Sequence, residues 1–142
     1  MEALTVAQAL QQLIQHEGLT AEAVSDNLVR ITVPTGAGEV KVGVLLHPEA
    51  SAAAMYLVHP DQVPEDRRVE AAVLITQFNY GLMAGALELD DQDGELRVRT
   101  GVDFGAGPAT VEALHRALEL NLGLMEAARP MLYALCAPVA VS

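Results

Sequence analysis

Cysteine, basic charge and long apolar runs are all scarce in this sequence, and each scarcity excludes something. Cys136 is the only cysteine among 142 residues, so no intrachain disulfide can form. Its setting, the apolar run "MLYALCAP", suits a small buried hydrophobe better than a nucleophile. Eight basic side chains stand against 19 acidic ones, a net charge of −11, and Lys41 is the sole lysine. Phosphate backbones are held by clustered Lys and Arg, so direct binding to nucleic acid is not expected of this chain. The acid surplus favours solubility and would steer basic protein partners toward the surface. Half of the residues are apolar, yet charged residues interrupt every long apolar stretch, and none approaches the ~20 residues that span a bilayer. The first residues lack a basic segment, and Gln8, Gln11, Gln12 and Gln15 interleave the apolar positions, unlike a secretory signal. A single cytoplasmic domain over residues 1–142, with one core, is expected.

What is present is a succession of periodic segments. Val6, Ala9, Leu10, Leu13 and Ile14 recur at helical spacing between a cap at Thr5 and a stop at Gly18. The period then falls to two: "LVRITV" alternates, and "EVKVGVLLH" sets Val40, Val42, Val44 and Leu46 against Glu39, Lys41 and Leu45. "AAAMYLVHP" reads as a third strand, while residues 19–24 are ambiguous. Pro64 opens a second helix with acids in its first turn and a left-handed cap expected at Gly81. Its apolar residues cover more than one stripe and require cover on more than one side. A last helical segment is interrupted by Pro130, where a kink or a break into two helices is expected. Grouped strands between helices argue for an α+β fold with an antiparallel sheet, in the order α-β-β-β-α-β-β-α.

Three patterns invite a chemical reading, and none sustains it. The aspartates of "DDQDGE", Asp90, Asp91 and Asp93, are spaced like calcium ligands. Placing Gly94 at the sixth position of a calcium loop puts Leu89 first and Thr100 twelfth, so two essential oxygen ligands are missing. Alternation on both flanks makes the segment a hairpin turn, with Leu89 opposite Leu96 and Glu88 facing Arg97. His16, His47, His59 and His115 sit apart, at exposed element ends, without the spacing of a zinc site. "PTGAGEVK" contains G-x-G but leads into a strand and places Glu39 where an anion would sit. With no nucleophile motif, neither a cofactor, a metal nor a catalytic residue is expected.

The segment "NYGL" followed by "GALELDDQDGELRVRT" is similar to the YbjN family, small bacterial proteins with the fold of the type III secretion chaperones. The likeness is carried by Asn79, Gly85, Glu88, Leu89, Asp90, Asp93, Gly94, Glu95, Arg97, Arg99 and Thr100: an Asn-containing helix end, a G-x-x-E-L-D strand, a D-G-E turn and an R-x-R-T strand. The resemblance implies a curved antiparallel sheet flanked by helices and a homodimer, without cofactor or catalysis. In the secretion chaperones the second helix builds much of the dimer interface, which assigns Val69, Val73, Ile75, Phe78 and Tyr80 here.

The function expected is therefore that of a non-enzymatic, homodimeric, chaperone-like module. It would bind a protein with a basic face, nucleic-acid-binding proteins being one such class. Leu45 and Tyr56 are the expected partner contacts, because both lie on strands and Leu45 faces away from Val40, Val42 and Val44. The competing reading packs them beneath a terminal helix. A regulatory component of a signalling complex is the other functional reading, with an uncharacterised enzyme behind it.

Overall fold

The computed structural model describes residues 3–138. It contains, among these, helices α1 (Val6–Glu17), α2 (Arg68–Tyr80) and α3 (Val111–Cys136). The strands are β1 (Thr20–Ala23), β2 (Leu28–Thr35), β3 (Gly38–His47), β4 (Ala52–Val58), β5 (Ala86–Leu89) and β6 (Leu96–Asp103). All six join one antiparallel sheet in the order β1-β2-β3-β4-β6-β5. The class is α+β, as the grouping of elements predicts. The ambiguous segment after α1 is an additional edge strand, β1, every residue of which is exposed.

Local chemistry fixes the helix ends. Thr5 and Gln8 form a reciprocal capping box at the start of α1, and Gly18 ends it at φ +63°, where a side chain would be strained. The second helix begins later than its acids suggest, because Glu65–Arg67 form a 3-10 turn ahead of Arg68. Gly81 does not adopt the expected left-handed cap, as its φ is −87°. Helix α3 runs unbroken through Pro130. Glu126, whose carbonyl loses its amide donor there, lies on the exposed side with Pro130, so water can satisfy the freed group.

Strand alternation sends one side chain in two inward. Ile31 and Val33, Val42, Val44 and Leu46, Met55 and Leu57, and Leu96 and Val98 form a buried face of the sheet. Helix α3 lies over β6 and β4, and α1 packs against α3 and β3. Their buried residues, Leu10, Leu13, Leu114, Leu118 and Leu132 among them, complete one contiguous core with that face. Helix α2 sits at the far margin against β5. There the Asn79 amide bonds both outward backbone groups of Leu87, accepting from its N–H and donating to its carbonyl, each at 2.9 Å. One side chain thus closes a strand edge that would otherwise invite pairing.

Candidate protein-binding surfaces

The acidic turn between β5 and β6 is built by its own backbone. Asp90 Oδ1 accepts from the Gln92 amide and Asp93 Oδ1 from the Glu95 amide, each Asp closing a local turn. The register is the one the alternation predicts, with Leu89 opposite Leu96 and Glu88 opposite Arg97. Arg68 reaches across from α2 and donates to the carbonyls of Val63, Asp91 and Gln92. Gly94 takes φ +81° directly against Val63, whose amide donates to the Gly94 carbonyl. The turn is a docked structural element of the α2 margin, and its outer rim is acidic: Asp90, Asp91 and Asp93 are exposed.

Helix α2 divides the residues predicted for a dimer interface. Ile75 is buried with Ala71 on the stripe facing the sheet, and Phe78 is half-buried against the core. Ile75 is therefore corrected to a core residue: it lies four residues, about one turn, from Ala71, which sets both on the inner face. Val69, Val73 and Tyr80 turn outward, at 81%, 53% and 94% exposure, and Met83 beyond the helix is fully exposed. Val69, Ala72, Val73, Thr76 and Leu89 line a shallow apolar trough along this face.

Leu45 and Tyr56 lie on the face of the sheet opposite the one packed by α1 and α3, and among the described residues no helix covers it. Leu45 is opposite Ala54, and Tyr56 is opposite both Gly43 and Arg99. Both side chains are half-buried by their neighbours within the sheet. Across β6 the Arg97 guanidinium lies 4.2 Å from the centre of the Tyr56 ring, a cation–π contact. Arg97 and Arg99 share one acceptor, their Nε atoms donating at 2.8 and 2.9 Å to the two oxygens of Glu88. Burial alone would raise the Glu88 carboxyl, but the hydrogen bonds from Arg99 and Arg97 and their positive charges hold it below its ordinary value.

His59, His115 and Asn121 each make contacts within the fold, with His59 Nε2 and Asn121 Oδ1 buried without a hydrogen-bond partner among the described residues. His59, expected at an exposed strand end, is buried at 4% exposure, because the chain turns inward after β4 toward Val63 and sets the ring edge-on to Tyr133, 4.7 Å away. Its Nδ1 accepts from the Asp61 amide. His115 contacts Glu17 and Glu119, joining α3 to α1. Burial pushes the Cys136 thiol up, and the nearby Asp61 charge adds to the effect against Arg67, so the thiolate is disfavoured. In the β2–β3 turn, Thr35 Oγ accepts from the Ala37 amide and donates to the Gly38 carbonyl. Asn121, which reads in sequence as an ordinary polar helix residue, is wholly buried and donates through Nδ2 to the Met55 carbonyl and Thr100 Oγ. Among the described residues no cluster of three or more His, Cys, Asp or Glu is placed to hold a metal ion, and no helix is long and apolar enough to cross a membrane.

Two solved structures share this architecture. The ExsC–ExsE complex aligns with a TM-score of 0.65 at 19% identity, covering 96% of this chain and all of the other. YbjN from E. coli aligns at 0.64 and 14% identity, covering 97% of this chain and all of the other. At such identities the likeness establishes the fold, that of the type III secretion chaperones. No curated protein matches the sequence. The family model for YbjN, described as "Putative bacterial sensory transduction regulator", matches residues 7–134, and the chain belongs to that family.

Proposed function

We propose that this chain is a non-enzymatic, cytoplasmic, chaperone-like module that dimerises through α2 and binds a second protein. The observation that carries the reading is the outer face of α2, uncovered among the described residues, where Val69 and Val73 line an apolar trough and Tyr80 and Met83 stand exposed farther along. Such a contiguous patch is unusual on a chain that works alone, and a two-fold contact is its simplest cover. The fold supports protein binding by analogy, since one structural neighbour was solved as the ExsC–ExsE complex.

Light scattering at micromolar concentration should give the mass of a dimer. Val73 is half-exposed in the single chain, so Val73→Asp is expected to leave the far-ultraviolet circular dichroism unchanged while raising the dissociation constant by about two orders of magnitude or more, an unpaired charge having entered the interface. A wild-type monomer at that concentration would refute the dimer.

The second protein is expected to carry a basic surface, a nucleic-acid-binding protein being one example. Glu65, Asp66 and Glu70 at the head of α2, with Asp90, Asp91 and Asp93 in the adjoining turn, give this margin its acidic rim. Charge of that kind acts chiefly on association rate, apolar contacts on affinity. Capture of the partner from the native cell, followed by association kinetics across a salt series, tests the proposal: the rate should fall as ionic strength rises. A partner with an acidic surface, or kinetics indifferent to salt, would remove the electrostatic half. The family's description favours a second reading, a regulatory component of a signalling complex. The captured partner separates the two.

A further inference from the structure

The charge of this chain is unevenly placed. The open face of the sheet carries Arg30, Lys41, Arg97 and Arg99, half of the basic side chains in the sequence. Within the strands four carboxylates share that face, Glu22, Glu39, Glu88 and Asp103, so its stranded part is neutral and the net −11 resides outside it, Asp90 and Glu95 at its margin included. Glu22 lies on the edge strand β1, Glu39 at the start of β3 and Asp103 at the end of β6, while Glu88 is the carboxylate engaged by Arg97 and Arg99. Asp90 and Glu95 line the hollow beside Arg97 and Glu88, and Asp103 the dip beside Arg99, so the two guanidinium groups are the positive spots of a mixed surface.

The geometry of that pair is unfinished. Each arginine uses its Nε on Glu88, and among the described residues no terminal guanidinium nitrogen of either finds an acceptor. Both side chains are part-exposed, at 40% and 47%. Arg97 is steadied by the Tyr56 ring beneath it and Arg99 by its bond to Glu88, so little side-chain entropy remains to be lost on binding. Beside Arg99 the surface dips over Ala52, Ala54 and Gly101, where small side chains let another chain approach. Leu45 lies opposite Ala54, and Leu28 opposite Leu45, providing apolar ground next to the charge.

We infer that this face receives a polypeptide segment of the partner bearing a carboxylate flanked by apolar side chains, the carboxylate accepting from the free ends of Arg97 and Arg99. The inference rests on the reading of the chain as a protein-binding module, and assigns one contact within it. Guanidinium forks with unused N–H groups are well matched to a second carboxylate. The adjoining Leu28, Leu45 and Ala54 supply burial that a lone carboxylate could not.

The test uses the intact protein and two synthetic peptides of sequence Leu-Glu-Leu-Glu-Leu and Leu-Gln-Leu-Gln-Leu, capped at both ends, followed by amide chemical shifts. The glutamate peptide should bind at least tenfold more tightly than the glutamine peptide and shift resonances of β3, β4 and β6. Arg99→Gln, which leaves Glu88 paired with Arg97, should abolish that preference while the residual apolar binding and the circular dichroism persist. Equal binding of the two peptides, no binding of either, or a preference that survives Arg99→Gln together with Arg97→Gln would overturn the inference. A captured cellular partner unaffected by Arg99→Gln would also overturn it, yet leave the proposed function standing. Failure to capture any partner, with the peptide preference intact, would instead uphold the carboxylate contact and remove the proposed function.

Discussion

Gly94→Ala is expected to destabilise the protein by about 3–5 kcal/mol, a large share of the roughly 5–15 kcal/mol that holds a domain folded. Two costs add. Gly94 sits at φ +81°, a conformation that strains a residue bearing a side chain. The added methyl would also collide with the Val63 carbonyl oxygen and stand 3.0 Å from its amide nitrogen, with Arg68 Nε at 3.1 Å. Backbone cannot yield as a flexible side chain does. Val63 is itself buried and bonded to Gly94, so relief would require separating the β5–β6 turn from the head of α2. Gly105 provides the control, because its φ of +56° carries strain but an added methyl meets nothing there. Urea denaturation should show Gly105→Ala losing only about 1 kcal/mol. If the two alanine variants unfold at the same midpoint, contact with Val63 is not what requires a glycine.

The sequence showed this glycine as part of a turn and missed what it packs against. Faces and hairpins follow from local alternation, which is why the inward set Val40, Val42, Val44 and Leu46 and the opposition of Leu89 to Leu96 were legible. Neighbours across a crossover are not local. Strand β4 pairs with β6, reached only after α2 and β5, so nothing in the order of residues set Tyr56 beneath Arg97. Helix α2 was opaque for another reason. Val69, Val73, Ile75 and Phe78 are all apolar, and with no polar stripe to orient the helix, periodicity could not decide that Ile75 turns in while Val69 and Val73 turn out. The edge role of Asn79 was likewise hidden, since a bidentate bond to Leu87 depends on where the following strand returns.

Asn121→Asp should be nearly as damaging as the turn variant, and unlike it should be sensitive to pH. Asn121 is fully buried on α3, and its Nδ2 donates to the Met55 carbonyl at 3.0 Å and to Thr100 Oγ at 3.1 Å, with the Val98 carbonyl at 3.5 Å. Thr100 in turn donates to the Ala117 carbonyl at 2.9 Å, so helix and sheet are tied through one amide. Aspartate replaces this donor with an oxygen facing two carbonyl oxygens. Ionised, it is a buried charge without a partner, which costs about 3–5 kcal/mol. Protonated, it recovers one donor, so burial and the facing carbonyls raise its folded pKa above the ordinary ~3.9 of the unfolded chain. A group whose folded pKa is raised gives most stability below the unfolded value and loses it as pH climbs through the folded one. The variant should therefore approach the wild type in mild acid and fall away from it toward neutrality. Asn121→Leu, which removes the amide without introducing charge, should cost less at neutral pH and show no such dependence. Equal losses for the two variants at every pH would mean that Asn121 fills space in the core and that its hydrogen bonds add nothing to the tie between α3 and the sheet.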